Sequence, residues 1–586
     1  MKTYNWQVRL IVGVLVFAML SSKIDRNVQA QTTIPPAQGC TVSGSIITCA
    51  FYVAANEDDA GVKPECNNYG IFWPEIYIGT CSSGASIVSG FRFQSVSLPP
   101  NQSILASYIE FTVDGPFGVS AVTANIYGQT SASPNSFTGT STSDITNRPT
   151  VAPTATWNIA STNTGYNMGD PWVLGYTRRT PDITQVISAI MDIGWQNNNP
   201  MAFLFKNMTA NPTSSRRVIS KERSAFTTFQ PARLVFRLGQ VPRPSVSYYW
   251  QSVLNVNGTT IINPAILEIK AKTEAERNQT VLVILDFGST DYSSVNIGTK
   301  LTSTNISVST SAILNGAKTY IQKFIQYSQP ASRLVLGVGT NNTGDMMCST
   351  TTAGNHGQAW ATMINDLQSW VNQQGYGGNV TVAGANDIES WAGQGLQCGT
   401  QLKDPSPPQN ALAWAQAYSA TTDVYLINYG AVDSVAIGLG NGAWGADTFW
   451  QLSWGIPEIL PFPEIYSTTG GNATMWQQLA RFSAICTGCI PEQFAYNPNW
   501  VKGRTMLFLG TLTNQGEQSK ITPCSTNTNS PSQGWLHLYR RIVVDLSTDS
   551  IYWTFPQFSS DITFEDQDVG LPPSQTHETA DTCAFP

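Results

Sequence analysis

The chain has 586 residues, only 12% of them Asp, Glu, Lys or Arg, and a formal net charge of −7. That length exceeds what one ordinary core organises, so two or three domains are expected. An acidic pI near 5.1 offers no basic face to a phosphate backbone, which excludes nucleic acid as a partner class, and with three histidines (His356, His537, His577) proton chemistry falls to carboxylates.

Residues 1–30 read as an export signal: Lys2 and Arg9 supply the positive start, residues 10–20 the apolar run, and Val28-Gln-Ala30 a small-residue cleavage site. The run has about half the length of a spanning helix and no later segment is long and apolar enough, so the mature chain is expected to be secreted, with no membrane partner. Ten cysteines fit that compartment. Their sequence-local groups suggest Cys40/Cys49, Cys66/Cys81, Cys348/Cys398, Cys486/Cys489 and Cys524/Cys583 as pairs.

From residue 31 to 238 the pattern is short alternating runs separated by Gly, Pro, Asn and Ser. Examples are FRF (91–93), YIEFTV (108–113), FLF (203–205) and RLVFR (233–237). Period-two patterning with regular turn signals predicts an antiparallel β-sandwich, interrupted by one helix carrying Val186, Ile187, Ile190 and Met191. The segments SGFRFQSVSLPP (89–100), ASYIEFTV (106–113), RTPDI (179–183) and PARLVF (231–236) resemble the DNRLRE-type β-sandwich modules of secreted multidomain proteins. The resemblance implies an accessory module serving adhesion or substrate proximity.

Residues 239–280, with Pro242, Pro244 and a charged stretch, read as a linker. The period then changes. VLVILDF (281–287) is a continuous apolar run, as expected of a strand buried on both faces of a parallel sheet. Helical stripes alternate with further strands at 333–338, 380–385, 424–428, 464–466 and 505–509. Six strands in βα alternation predict a (β/α)8-type, TIM-like barrel over 281–565, with an open doubly wound sheet as the alternative; residues 566–586 form a tail. Asp561, Glu565, Asp566 and Asp568 lack the spacing of a calcium loop and read as an exposed acidic tail.

In a βα barrel the chemistry sits where strands run into the following loops. The strand ends here carry Asp286, Asn341, Asp387, Glu389, Asn428, Tyr429, Glu464 and Tyr466. Asp387 and Glu389, two positions apart, share a face. Trp391 and Trp454 are candidates to stack on sugar rings, whereas Trp360, Trp370 and Trp535 sit on core stripes. Each acid also has a plain structural reading: Asp286 as a hydrogen-bonded rim residue, Asp387 as a helix cap or orienting group, Glu389 as a solvated loop acid.

This arrangement resembles β/α-barrel glycoside hydrolases, and an acid at a first strand (Asp286) with a later Asp-x-Glu resembles barrel-type muramidases. That resemblance implies that Glu389 is the general acid. The family's first-strand sequence is not reproduced, the Asp-x-Glu follows the third strand read here, and the second acid, Glu464, has no motif match. HGQAW (356–360), VAGANDIE (382–389), INYG (427–430) and FPEIY (462–466) are similar to glycosidase-like barrel domains of exported bacterial proteins.

The sequence thus predicts a secreted glycoside-hydrolase-like protein acting on a polysaccharide or cell-wall glycan, with Glu389 as acid, Glu464 as nucleophile or base, and Asp286 and Asp387 setting charge. Asn341, Trp391, Asn428, Tyr429, Trp454 and Tyr466 would bind substrate. No metal and no organic cofactor is required. The rival expectation is a non-catalytic glycan-binding surface or matrix protein. Carboxyl groups about 5 to 9.5 Å apart would favour hydrolysis.

Overall fold

The computed structural model describes residues 39–63, 69–117, 120–159, 172–293, 296–302, 304, 306–432, 444–485, 506–516, 528–549 and 556–565. The expected leader and tail, Asp566, Asp568, Cys66, Cys486, Cys489, Cys524 and Cys583 lie outside them. The described residues fall into two compact units, 39–241 with 539–549, and 242–538 with 556–565.

The first unit contains two antiparallel sheets. One runs in the order Gly39–Ser43, Ile46–Tyr52, Arg233–Gly239, Ser103–Phe117, Ser215–Ile219, Glu75–Gly79, and the other Tyr69–Gly70, Asp59–Val62, Ser89–Phe93, Met201–Ala210, Val122–Gly128, Ala155–Ile159. Burial alternates residue by residue along Val122–Gly128, the signature of a strand with one face on a core. Phe51, Phe111 and Phe236 from the first sheet share that core with Phe91 and Phe205 from the second, and the helix Thr184–Asp192 adds Val186, Ile187 and Ile190. A Cys40–Cys49 disulfide joins directly opposed residues of the first hairpin. The unit also takes in residues beyond 538, which the expected boundaries assigned to the barrel: Arg179 (2.6 Å) and Arg237 (2.7 Å) both pair with Asp549, and Arg540 Nε donates to the Leu105 carbonyl at 2.9 Å.

The second unit is a nearly closed barrel of eight parallel strands: β1 Ser245–Tyr249, β2 Thr280–Ser293, β3 Arg333–Gly344, β4 Val380–Asp387, β5 Leu426–Asn428, β6 Ile459–Pro461, β7 Gly510–Thr513 and β8 Phe558–Phe564. Each of β1 to β5 pairs in parallel with the next strand in the chain, and β8 pairs with both β7 and β1, so the sheet's two ends meet. Between β6 and β7 the ladder is short, with Leu509 N–H on Pro461 O (3.0 Å), Leu512 N–H on Pro463 O (2.9 Å) and Ile465 N–H on Leu512 O (2.8 Å). Leu282, Ile284, Ala383, Ala385, Ile427, Phe462, Leu512 and Ile562 fill the interior.

Three expectations change. The stretch expected to be a linker, 239–280, carries β1 and the helix Pro264–Glu276, so Asp286 stands on the second strand, not the first, and Asp387 on the fourth. Asp561 and Glu565 are buried at 1% and 0% exposure at β8 rather than in an exposed tail, with Asp561 accepting from Thr513 Oγ1 and the Gln515 and Gly516 amides. The seventh strand starts at Gly510, just past the expected 505–509. Among the described residues no helix is long and apolar enough to cross a membrane.

Candidate functional site

Side chains alternate along a strand, so the residues that follow the apolar interior positions by two face the same space. After Ile284 on β2 comes Asp286, after Ala385 on β4 comes Asp387, and after Phe462 comes Glu464. On β1, Ser247 meets Ser560 inside the barrel at 3.0 Å, and Tyr249 follows it. The C-terminal strand ends therefore bring acids and tyrosines together.

Oxygen atoms of Asp387, Glu389 and Glu464 lie within 4.8 Å of one another. Asp387 is 6% and Glu464 5% exposed, while Glu389 is half-buried. Burial, and then the charge of Glu389 and of Asp286, push the Asp387 carboxyl well above the usual range. Asp387 Oδ1 has no hydrogen-bond partner among the described residues. Glu464 is raised well above its ordinary value by burial first, then by the charges of Glu389 and Asp387; a hydrogen bond to Glu389 adds to this and one from Tyr466 opposes it. Glu389 Oε1 accepts the Ala431 amide at 2.9 Å, a bond suited to an ionised carboxylate. Tyr466 donates to Glu464 Oε1 at 2.6 Å, and the Tyr249 and Tyr466 hydroxyls are hydrogen-bonded to each other.

Asp286 and Tyr429 form a separate polar pair inside the barrel. Both are 0% exposed. The Tyr429 hydroxyl lies 2.5 Å from Asp286 Oδ2, and the Gly288 amide donates to Asp286 Oδ1 at 2.5 Å. Burial raises the Asp286 carboxyl, and these two bonds oppose the shift. Tyr429 has room because β3 carries Gly339: a Cβ there would stand 2.9 Å from its hydroxyl.

The other expected site residues divide. Trp391 is half-buried next to Glu389, and Tyr466 joins the carboxylates. Asn341 instead closes its own turn, its Oδ1 accepting from Thr343 N (3.2 Å) and Oγ1 (2.5 Å). Asn428 is buried and ties down the segment after β5, donating to Leu452 O and Ser453 Oγ, each at 3.1 Å. Trp454 is 5% exposed, so its ring faces protein rather than solvent.

Three groups escaped sequence reasoning: Tyr249, the Ala431 amide and Asn342. Asn342 is 1% exposed and bonds both backbone groups of Glu389 as well as the Trp391 indole. The only available signal was its place beside Asn341 at the end of β3, where strand parity puts it on the opposite face. Asp387, Glu389 and Glu464 also have spacing suited to a cation; calcium takes about six to eight oxygen ligands, of which this trio supplies a part.

No family model and no curated protein matches the chain. Among solved structures it is similar to the CBM22-1–GH10 modules of endo-1,4-β-D-xylanase 10B from Clostridium thermocellum, complexed with xylohexaose, at 7% identity and a TM-score of 0.21, covering 70% of this chain and 89% of that one. It is also similar to the GH31 α-xylosidase of Xanthomonas citri at 7% identity and a TM-score of 0.16, covering 85% of this chain and 64% of that one. Both of these structural neighbours are glycoside hydrolases.

Proposed function

We propose that this is an exported glycoside hydrolase, with a β-sandwich accessory module and a TIM-like (β/α)8 barrel that cleaves a polysaccharide or cell-wall glycan by carboxylate acid/base catalysis. The observation that carries the reading is the meeting of Asp387, Glu389 and Glu464 at the C-terminal strand ends, with oxygens within 4.8 Å of one another. Glu464, whose proton burial and neighbouring charge retain, protonates the leaving oxygen. Glu389, half-buried and bonded by the Ala431 amide, acts as nucleophile. This exchanges the roles implied by the resemblance to muramidases. Asp387 supplies charge behind both, and Asp286 orients Tyr429.

Inverting enzymes hold their carboxyls about 6.5 to 9.5 Å apart to admit a water, retaining ones about 5 to 5.5 Å. The oxygens here, within 4.8 Å of one another, lie closer than either range and nearer to the retaining one, so retention is the outcome expected once a substrate parts the pair. Purified protein incubated with plant, fungal and bacterial polysaccharides and with peptidoglycan should release reducing ends with retained anomeric configuration, and Glu389→Gln and Glu464→Gln should each abolish release while leaving the fold intact. Full turnover in either variant removes the assignment.

A second reading, a non-catalytic glycan-binding protein, is favoured by the hydrogen bond between Glu464 and Glu389, which leaves little room for a glycosidic bond between them. Retention of a polysaccharide without reducing-end release would select it.

A further inference from the structure

We propose that Asn342 is a positioning residue that holds Glu389 and Trp391 as one unit, so that the Trp391 indole forms a sugar-stacking subsite beside the Glu389 carboxylate. The inference rests on the glycan reading above and adds a substrate contact and the residue that sets it. Asn342 Nδ2 donates to the Glu389 carbonyl at 2.8 Å, and its Oδ1 accepts from Glu389 N–H at 3.0 Å and from Trp391 Nε1–H at 2.6 Å. One amide thus uses its donor and its acceptor on both ends of a three-residue stretch. Aspartate lacks the donor and leucine lacks both, so no other side chain of this size makes all three bonds.

The held conformation is one that tryptophan seldom adopts. Trp391 has φ +53°, in the left-handed region, which bulky side chains seldom enter unless surrounding contacts hold them there. Those contacts are present: besides the indole bond, the Trp391 carbonyl accepts the Gly395 amide at 2.7 Å and the Gln394 amide at 3.1 Å. With its N–H edge pinned to buried Asn342 and the residue half-buried, the ring is fixed in orientation, which spares the ordering cost of stacking on a pyranose.

The test compares wild type, Trp391→Ala, Trp391→Phe, Asn342→Leu and Asn342→Asp on xylan, β-glucan, chitin oligosaccharides and peptidoglycan, with kcat and KM measured separately and near-UV circular dichroism recorded on each. Trp391→Ala should raise KM by about tenfold with kcat little changed. Asn342→Leu should raise KM similarly and also lower kcat by about a hundredfold, since it releases Glu389 as well. Asn342→Asp, which keeps the size and the acceptor, and Trp391→Phe, which keeps a ring without the N–H, should fall between and guard against loss of fold. Wild-type kcat and KM in the folded Asn342 variants, or wild-type KM in Trp391→Phe and Trp391→Ala, overturn the inference alone. Absence of binding and hydrolysis by wild type on every polysaccharide overturns the function proposal and this inference together.

Discussion

Tyr466 donates a 2.6 Å hydrogen bond to Glu464 Oε1 from two positions further along the chain, so hydroxyl and carboxyl leave the strand end on one face. The bond favours the ionised carboxylate and opposes the burial and neighbouring charge that hold the proton on Glu464. Removing it in Tyr466→Phe raises the Glu464 carboxyl further. If Glu464 is the acid, the alkaline limb of the kcat/KM profile moves up by about one pH unit, the size expected for one hydrogen bond to a charged group. A pH profile of the variant checks this, and a limb that stays put or moves down contradicts the role.

Glu222, in the first unit, is pushed up to about 7 by burial. An unfolded glutamate ionises near 4.3, so between that pH and about 7 the unfolded state sheds a proton that the folded state keeps. The stabilising contribution is complete below the unfolded value and is lost as pH rises through the folded one. Glu222→Gln has no such loss. Its melting temperature relative to wild type should therefore climb from pH 4.5 to about 7 and level off above, as scanning calorimetry across that range would register; a difference that is flat with pH refutes the shift.

The interior pair of Asp286 and Tyr429 depends on the missing side chain at Gly339. In Gly339→Ala the new methyl meets the Tyr429 hydroxyl, and overpacking of this kind costs about 1 to 3 kcal/mol. Tyr429→Phe added to Gly339→Ala removes the atom that is struck and should recover part of the loss, so a double-mutant cycle by urea denaturation reports the contact. Strict additivity of the two changes would show that they do not meet.

The Asp387 and Glu389 pair was legible because both faces of β4 are buried up to its end and the period of two then fixes where acids point. Glu464 was singled out on a strand expected at 464–466, whereas β6 runs Ile459–Pro461 and Glu464 follows it, held to Leu512 by a single bridge. β1 was not. Its inward positions are Ser245, Ser247 and Tyr249, the two serines bonded to Leu282 O and Ser560 on the neighbouring strands, so a strand of the interior lacks the apolar run that marks the others. The helix after it hides similarly: its buried positions include Lys270 and Glu274, one lying over the Tyr248 ring and the other paired with Arg277. With strand and helix both masked by polar contacts that exist only in the folded barrel, the segment reads as a linker. Asn428 and Trp454 were misjudged for a different reason. A short β5 is followed by a buried turn at Gln451–Gly455, and the amide that parity places at a strand end serves that turn.

The Cys348–Cys398 disulfide closes a stretch of 50 residues that contains β4, Glu389 and Trp391. It fastens Asp345–Cys348, the turn after β3, to Leu396–Cys398, which pairs with Gln401–Lys403, and Lys403 Nζ donates back to the Cys348 carbonyl at 3.0 Å. Closing a loop of that length restricts the unfolded chain by about 4 kcal/mol. In the double variant Cys348→Ser and Cys398→Ser that restriction is gone, and the turn carrying Trp391 loses its far anchor while Tyr466 and Glu464, in the segment after β6, keep theirs. The expected result is a lower melting temperature together with a KM raised in the same direction as in Trp391→Ala, and an alkaline limb of kcat/KM that does not move. A shift of that limb instead would mean that the loop and the Glu464 proton are coupled, and that the indole platform and the acid are not independent parts of the site.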